Sequence, residues 1–248
     1  MAYNCKVVDY QKGQHVSIYS RAISENNKKS QNFRKSYHNE NRTEQQEKHC
    51  INQSVNRTKN KIYNLARSND WQYFITLTFN QKKVNSENYD DVVKKLTNFM
   101  HRIRQVYCPN MVYLIVPELH SDGKHYHFHG LLSNVEGMKF VDSEHRTKNN
   151  QIIFNMPQWN YGFTTATKVT DTQKVSGYIT KYITKDLGLS LKNKKRYLRS
   201  NNCKVTAAEK YNIDFEQFLE VYNESILYAK TVNIPHAHQT IKYFELDT

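Results

Sequence analysis

The stretch from Met111 to Leu132 constrains the fold of this chain most. Met111–Val116 is an apolar, β-branched run, and Ser121-Asp122-Gly123-Lys124 is a turn sequence whose Asp-Gly pair is a strong hairpin signal. His125–Leu132 then reads as the returning strand. Successive side chains on a strand face opposite ways. His125, His127 and His129 therefore project from one face, and Tyr126 and Phe128 turn to the core. The fold must contain an antiparallel pair with one face that accepts imidazoles. Glu118, just before the turn on the partner strand, can lie opposite them.

The other segments fill in around that hairpin. Ile51, Val55, Ile62, Leu65 and Ala66 make one apolar stripe, so a helix is expected from about Cys50 to Ser68. Trp71–Phe79 is rich in β-branched and aromatic residues and reads as a strand. Ile75, Leu77 and Phe79 face one way along it, and Thr76 and Thr78 the other. Residues 88–107 form an amphipathic helix ended by Pro109. Residues 133–150 read as loop, and 152–154 and 162–169 as two more strands. A helix is expected over 172–186, another over 206–223, and a terminal strand or arm after Ile234. Residues 1–48 read as a basic, polar, partly disordered segment with a short apolar alternation near Val16–Tyr19. The expected organisation is thus 1–48, a core domain over 49–200, and 201–248 as a helix and arm packed on that domain. The order of elements gives an α+β class, an antiparallel sheet with flanking helices.

Charge narrows the partners. Lys and Arg number 36 against 23 Asp and Glu, a formal net charge of +13. Such an excess suits a polyanion, and 18 Tyr and 11 Phe add rings on which bases can stack. No stretch is apolar enough for a membrane span, and Cys5, Cys50, Cys108 and Cys203 lack metal or disulfide spacing. They read as reduced thiols in a cytosol. No phosphate-binding Gly-rich Lys motif is present, which argues against a nucleotide-driven motor.

Two constellations carry chemistry. Two imidazoles two residues apart on a strand, with Glu118 opposite, make an open metal site suited to catalysis. The pair is His127/His129 or His125/His127, and the third ligand is Glu118 or His120. The second constellation is Tyr178-Ile-Thr-Lys181-Tyr182. On a helix the two tyrosines lie one turn apart, with Lys181 and Lys185 beside them. A phenol titrating near 10 needs a neighbouring cation or a metal-bound phosphate to act as a nucleophile. By itself this motif is also what ordinary packing produces; its place after the histidine hairpin gives it weight. A basic run follows, Lys192–Arg199, in which Lys194, Lys195, Arg196 and Arg199, with Lys185, are the expected DNA contacts.

Phe74-Ile-Thr-Leu-Thr-Phe79, Val116-Pro-Glu-Leu-His120 through Gly130, and Tyr178–Tyr182, in that order, resemble the three motifs of the HUH endonuclease superfamily. The subgroup they are most similar to is the rolling-circle replication initiators of small single-stranded-DNA phages and plasmids. The similarity covers roughly residues 60–200. It implies a central five-stranded antiparallel sheet, a palm like that of RNA-recognition domains, and it favours His127/His129 because His129-Gly130-Leu-Leu matches the family's ending. It implies Glu118, His127 and His129 around Mg2+ or Mn2+, attack by Tyr178 or Tyr182 to give a 5′-phosphotyrosine, and Lys181 beside phosphate or phenolate. It further implies a single-stranded origin, with a hairpin, as substrate, host helicase and polymerase as partners, and the cytoplasm of a bacterial host. Relaxases and single-strand transposases are related alternatives; chain length and the doubled tyrosine favour the initiator. A reading of another class is a sequence-specific nucleic-acid-binding protein whose metal site is structural.

Overall fold

The computed structural model describes residues 1–24, 43–191 and 193–247, without the side chain of His236. The chain divides into two compact units, Met1–Arg42 with Thr206–Thr248, and Thr43–Val205.

The first unit joins the two ends of the chain. β1 (Ala2–Asp9) and β2 (Gln14–Ser24) form an antiparallel pair, and β2 pairs in turn with the last strand of the chain, Gln239–Leu246. The sheet is completed by Glu209–Tyr211 beside β1 and Ile226–Ile234 beside the last strand. The helix Phe215–Tyr222 lies over Cys5, Val16, Ile18, Phe244 and Leu246 through Phe218. This differs from an N-terminal polar segment and a separate C-terminal arm. Each end carries only half of an apolar face, and pairing buries both halves. The expected disorder falls largely on residues 25–42, outside the described residues.

The second unit begins with α1 (Glu44–Arg67). It starts six residues earlier than the apolar stripe predicts because Thr43 and Gln46 form a reciprocal capping box. β3 (Tyr73–Phe79), α2 (Tyr89–Val106), β4 (Val112–Leu119) and β5 (Tyr126–Ser133) follow as expected. Asn88 caps α2 by accepting from the amides of Asp90 and Asp91. Gly123, with φ +71, makes the turn between β4 and β5. β6 (Val141–Arg146), β7 (Ile152–Asn155) and β8 (Gly162–Lys168) come next. β6 lies where the sequence predicts a loop; it is largely exposed on both faces, so no apolar alternation marks it. β9 is the two-residue strand Leu198–Arg199.

The sheet is antiparallel in the order β6-β7-β8-β3-β5-β4-β9. The α+β class and the antiparallel sheet are as expected, but the strands number seven, because β6 and β9 extend the two edges. One face carries Ile75, Leu77, Phe79 and Phe128; α2 covers it, with Trp159 wedged between Phe79 and Phe99. The opposite face carries Phe74, Thr76, Thr78, His127 and His129.

The helix expected over 172–186 is broken. α3 (Thr172–Ile179) tightens into a 3-10 turn over Thr180–Tyr182, and α4 restarts at Lys185–Ser190. Thr184 leaves the helix to cap α4 through the amide of Leu187, while Ile183 is driven into the core. The helix expected over 206–223 shrinks to α5 (Phe215–Tyr222), preceded by β10 (Glu209–Tyr211), because Asp214 caps a start there. β11 (Ile226–Ile234) and β12 (Gln239–Leu246) end the chain.

Candidate active site

Strand register alone assembles the first half of the site. Glu118 pairs with His127 across β4–β5, and Thr76 pairs with His129 across β3–β5. Partners directly opposite in an antiparallel pair share a face. The hydroxyl of Thr76 lies 3.1 Å from His129 Nδ1, and that of Thr78 lies 3.2 Å from His127 Nδ1. A hydroxyl can donate or accept, so each threonine orients its ring in either tautomer. Glu118 Oε2 sits 2.6 Å from His129 Nε2. Burial lowers the pKa of both imidazoles; His120 adds to this at His127, while Glu118 opposes it at His129. Neutral imidazole is the form that ligates a metal.

His125 does not share this face as expected. It lies before β5, where Asp122 Oδ2 holds its Nδ1 at 2.6 Å, 3.1 Å separating the same carboxylate's other oxygen from the His125 amide. Amides of the turn hold Asp122 well below the usual carboxylate range, so the turn is its own closed unit. His120 stays near, its ring stacked on that of His127 at 4.9 Å.

The tyrosines supply the second half. The Tyr182 ring stacks on His129 at 3.5 Å, and Phe74 packs against both Tyr178 and Tyr182. The Tyr182 hydroxyl donates to that of Tyr178 at 3.0 Å, and Lys181 Nζ stands 5.3 Å from the centre of the Tyr178 ring. Burial and the contact with Tyr178 push the Tyr182 phenol up, with Glu118 adding to the effect. Tyr178, 45 % exposed, lines the adjacent cleft of about 1120 Å³. The cleft runs over Thr165 and Thr167 of β8 toward Lys168, Lys174 and Lys181.

The basic run does not behave as a free phosphate-binding strip. Arg196 donates to Ser54 Oγ and to the Gly188 carbonyl, and Arg199 donates to the Cys203 carbonyl. Lys194 pairs with Asp90 at 2.8 Å, and the Lys195 carbonyl accepts from the Tyr89 hydroxyl. Arg196, Arg199 and Lys194 tie α4 and β9 to neighbouring elements, a use that charge alone does not reveal. Lys185 is exposed at the start of α4. The sequence reading missed the cleft lysines Lys148, Lys168 and Lys174, which are scattered along the chain. It also missed Phe74, although its parity with Thr76 and Thr78 on β3 marks it.

Among the described residues, no three His, Cys, Asp or Glu side chains are arranged to hold a metal ion as they stand. The direct Glu118–His129 contact uses the donors that an ion would take. The donor chemistry still fits a divalent ion: one carboxylate beside two neutral imidazoles, each oriented from behind by a hydroxyl. Among the described residues, no helix is long and apolar enough to cross a membrane.

No curated protein and no solved structure matches the chain. A family model for replication-associated proteins of the ORF2 type matches residues 72–187, a span that holds β3, the β4–β5 hairpin and both tyrosines. By that match this segment, a little under half of the chain, is that of a replication-associated protein, consistent with a rolling-circle initiator.

Proposed function

We propose that this protein initiates rolling-circle replication by nicking single-stranded origin DNA with a tyrosine, and ends it by rejoining the strand. The observation that carries the reading is the contact chain Glu118–His129–Tyr182–Tyr178, which ends at a basic cleft. Glu118, His127 and His129 would hold Mg2+ or Mn2+. When bound, the ion supplies charge stabilisation for the scissile phosphate.

The chain's own groups do the rest. Tyr178, at the cleft, makes the first attack: its oxygen bonds to phosphorus, the phosphorus–3′-oxygen bond breaks, and the 3′-oxygen takes a proton from water. The proton of Tyr178 leaves to solvent. Donation from the Tyr182 hydroxyl and the nearby Lys181 ammonium stabilise the Tyr178 phenolate. Tyr182 makes the second attack when the copied strand returns, and the first linkage is reversed onto a free 3′-hydroxyl. Phosphates lie along Lys168, Lys174 and Lys181. Host helicase and polymerase act on the product, in the cytoplasm of a bacterial host.

The test is incubation with origin-derived single-stranded oligonucleotides and Mn2+, followed by a denaturing gel. A covalent adduct lost in Tyr178→Phe supports the reading, and no adduct with any such oligonucleotide sinks it. In that event the alternative stands, a sequence-specific DNA-binding protein with a structural metal. Its support is that no three donor side chains among the described residues converge on one point.

A further inference from the structure

One wall of the cleft is not part of the sheet face that carries the histidines and tyrosines. It is the end of the β6–β7 ribbon, where Thr147, Lys148, Asn149, Gln151 and Ile153 line the space that Tyr178 lines from α3. The ribbon is built to hold its tip still. The Thr147 amide donates to the Gln151 carbonyl at 2.9 Å, the Asn150 amide to the Thr147 carbonyl at 2.9 Å, and the Gln151 amide to Thr147 Oγ1 at 3.1 Å. Asn150 takes φ +60 to close this turn. Below it, Asp142 receives both guanidinium nitrogens of Arg146, at 2.9 and 3.1 Å, across an irregularity in the β6–β7 register. That pairing neutralises the ribbon's arginine internally.

The side chains at the tip are in the opposite condition. Lys148 and Asn149 are exposed, Gln151 is half-buried, and none of the three side chains has a hydrogen bond or ion pair among the described residues. A backbone locked by three bonds thus presents an ammonium and two amides, with no internal use, to a basic cleft. An amide offers a donor and an acceptor side by side, which matches the edge of adenine. Unstacked bases of a single strand expose such edges, and an ammonium meets phosphate.

We propose that the β6–β7 tip, through Lys148, Asn149 and Gln151, is the base-reading element that selects which single-stranded sequence lies beside Tyr178. The inference rests on the proposed function only for the identity of the ligand as single-stranded DNA. Phosphates run over the hydroxyls and lysines of β8 and α3, and the tip meets the bases.

The experiment uses the full chain in EDTA, so that binding is read without cleavage, and a randomised single-stranded DNA library as probe. Wild type should enrich a sequence motif over rounds of selection. N149A/Q151A should bind the unselected library within about twofold of wild type and lose the motif. Gln151→Glu removes the amide donor and leaves acceptors, which favours cytosine. It should change the selected base at one position instead of abolishing selection, a result that misfolding does not produce. The same motif from all three proteins, or no motif from wild type, overturns the inference. Adduct formation with the enriched oligonucleotide and Mn2+ is scored separately: its absence counts against the nicking reading and leaves the binding result standing.

Discussion

The rings of Tyr182 and His129 lie face to face, 3.5 Å apart between centroids and 11° from parallel. This contact makes one site of two motifs more than forty residues apart. It also separates the tyrosines: Tyr182 is held on the sheet, and Tyr178 stands at the cleft.

From that separation, Tyr178→Phe should abolish the first covalent adduct. Tyr182→Phe should keep it but slow its formation by about tenfold, the scale of one lost hydrogen bond to a charged oxygen. Single-turnover kinetics with Mn2+ read both. Equal loss in the two variants would contradict the assignment.

Thr76 and Thr78 stand behind the two imidazoles. Thr76→Val keeps the shape and removes the hydroxyl, so Mn2+ affinity should fall about 10- to 100-fold. Titration calorimetry measures it; an unchanged affinity would mean that the threonine plays no part in orienting His129.

Arg196 and the cleft lysines should fail in different ways. Arg196→Ala removes donors to Ser54 and Gly188 and should cost about 1–3 kcal/mol of stability. Its effect on the salt dependence of DNA binding should be small. Lys168→Ala should leave the urea midpoint in place and lower the slope of log K against log salt by about 1. The reverse pattern would restore the basic run as the DNA contact.

Gly162 faces Phe79 across β8–β3, and a Cβ there would lie 2.1 Å from the Thr78 carbonyl oxygen and 2.6 Å from the Asn80 amide nitrogen. Backbone cannot swing aside as a side chain does. Gly162→Ala should therefore destabilise the chain by about 1–3 kcal/mol or more. A urea midpoint equal to that of wild type would show that the strands separate there at little cost.

Cys5 is buried in the terminal sheet, and burial raises its thiol from 9.0 to about 11. The folded chain keeps a proton that the unfolded chain releases above about pH 9. Stability from this group is full below pH 9 and falls as pH rises toward 11, by about 2–3 kcal/mol in all. Urea unfolding of wild type and Cys5→Ala at pH 8 and pH 11 should show a steeper loss in wild type. Parallel losses would remove Cys5 as the cause.

Much of the site was legible because it rests on local patterns. The parity of Thr76, Thr78, His127 and His129 follows from the two-residue period of strands. The turn at Asp122-Gly123 makes Glu118 the opposite number of His127. The same logic misled at His125, where Asp122 competes for the ring and ends the strand one residue later. It misled again at Thr184, whose hydroxyl caps a new helix in place of extending the old one.

By itself, then, the sequence determined the hairpin, its facing parity, the antiparallel α+β class and the residues with nucleophilic or ligating chemistry, because these depend on periods of two and 3.6 and on turn residues. The tertiary structure alone decided which cations are already engaged, how the chain's two ends share one sheet, and that a ribbon without apolar pattern walls the cleft. Those outcomes depend on contacts between residues distant in sequence. No local period records such contacts, and a lysine or arginine reads the same whether it meets a carbonyl, a carboxylate or a phosphate.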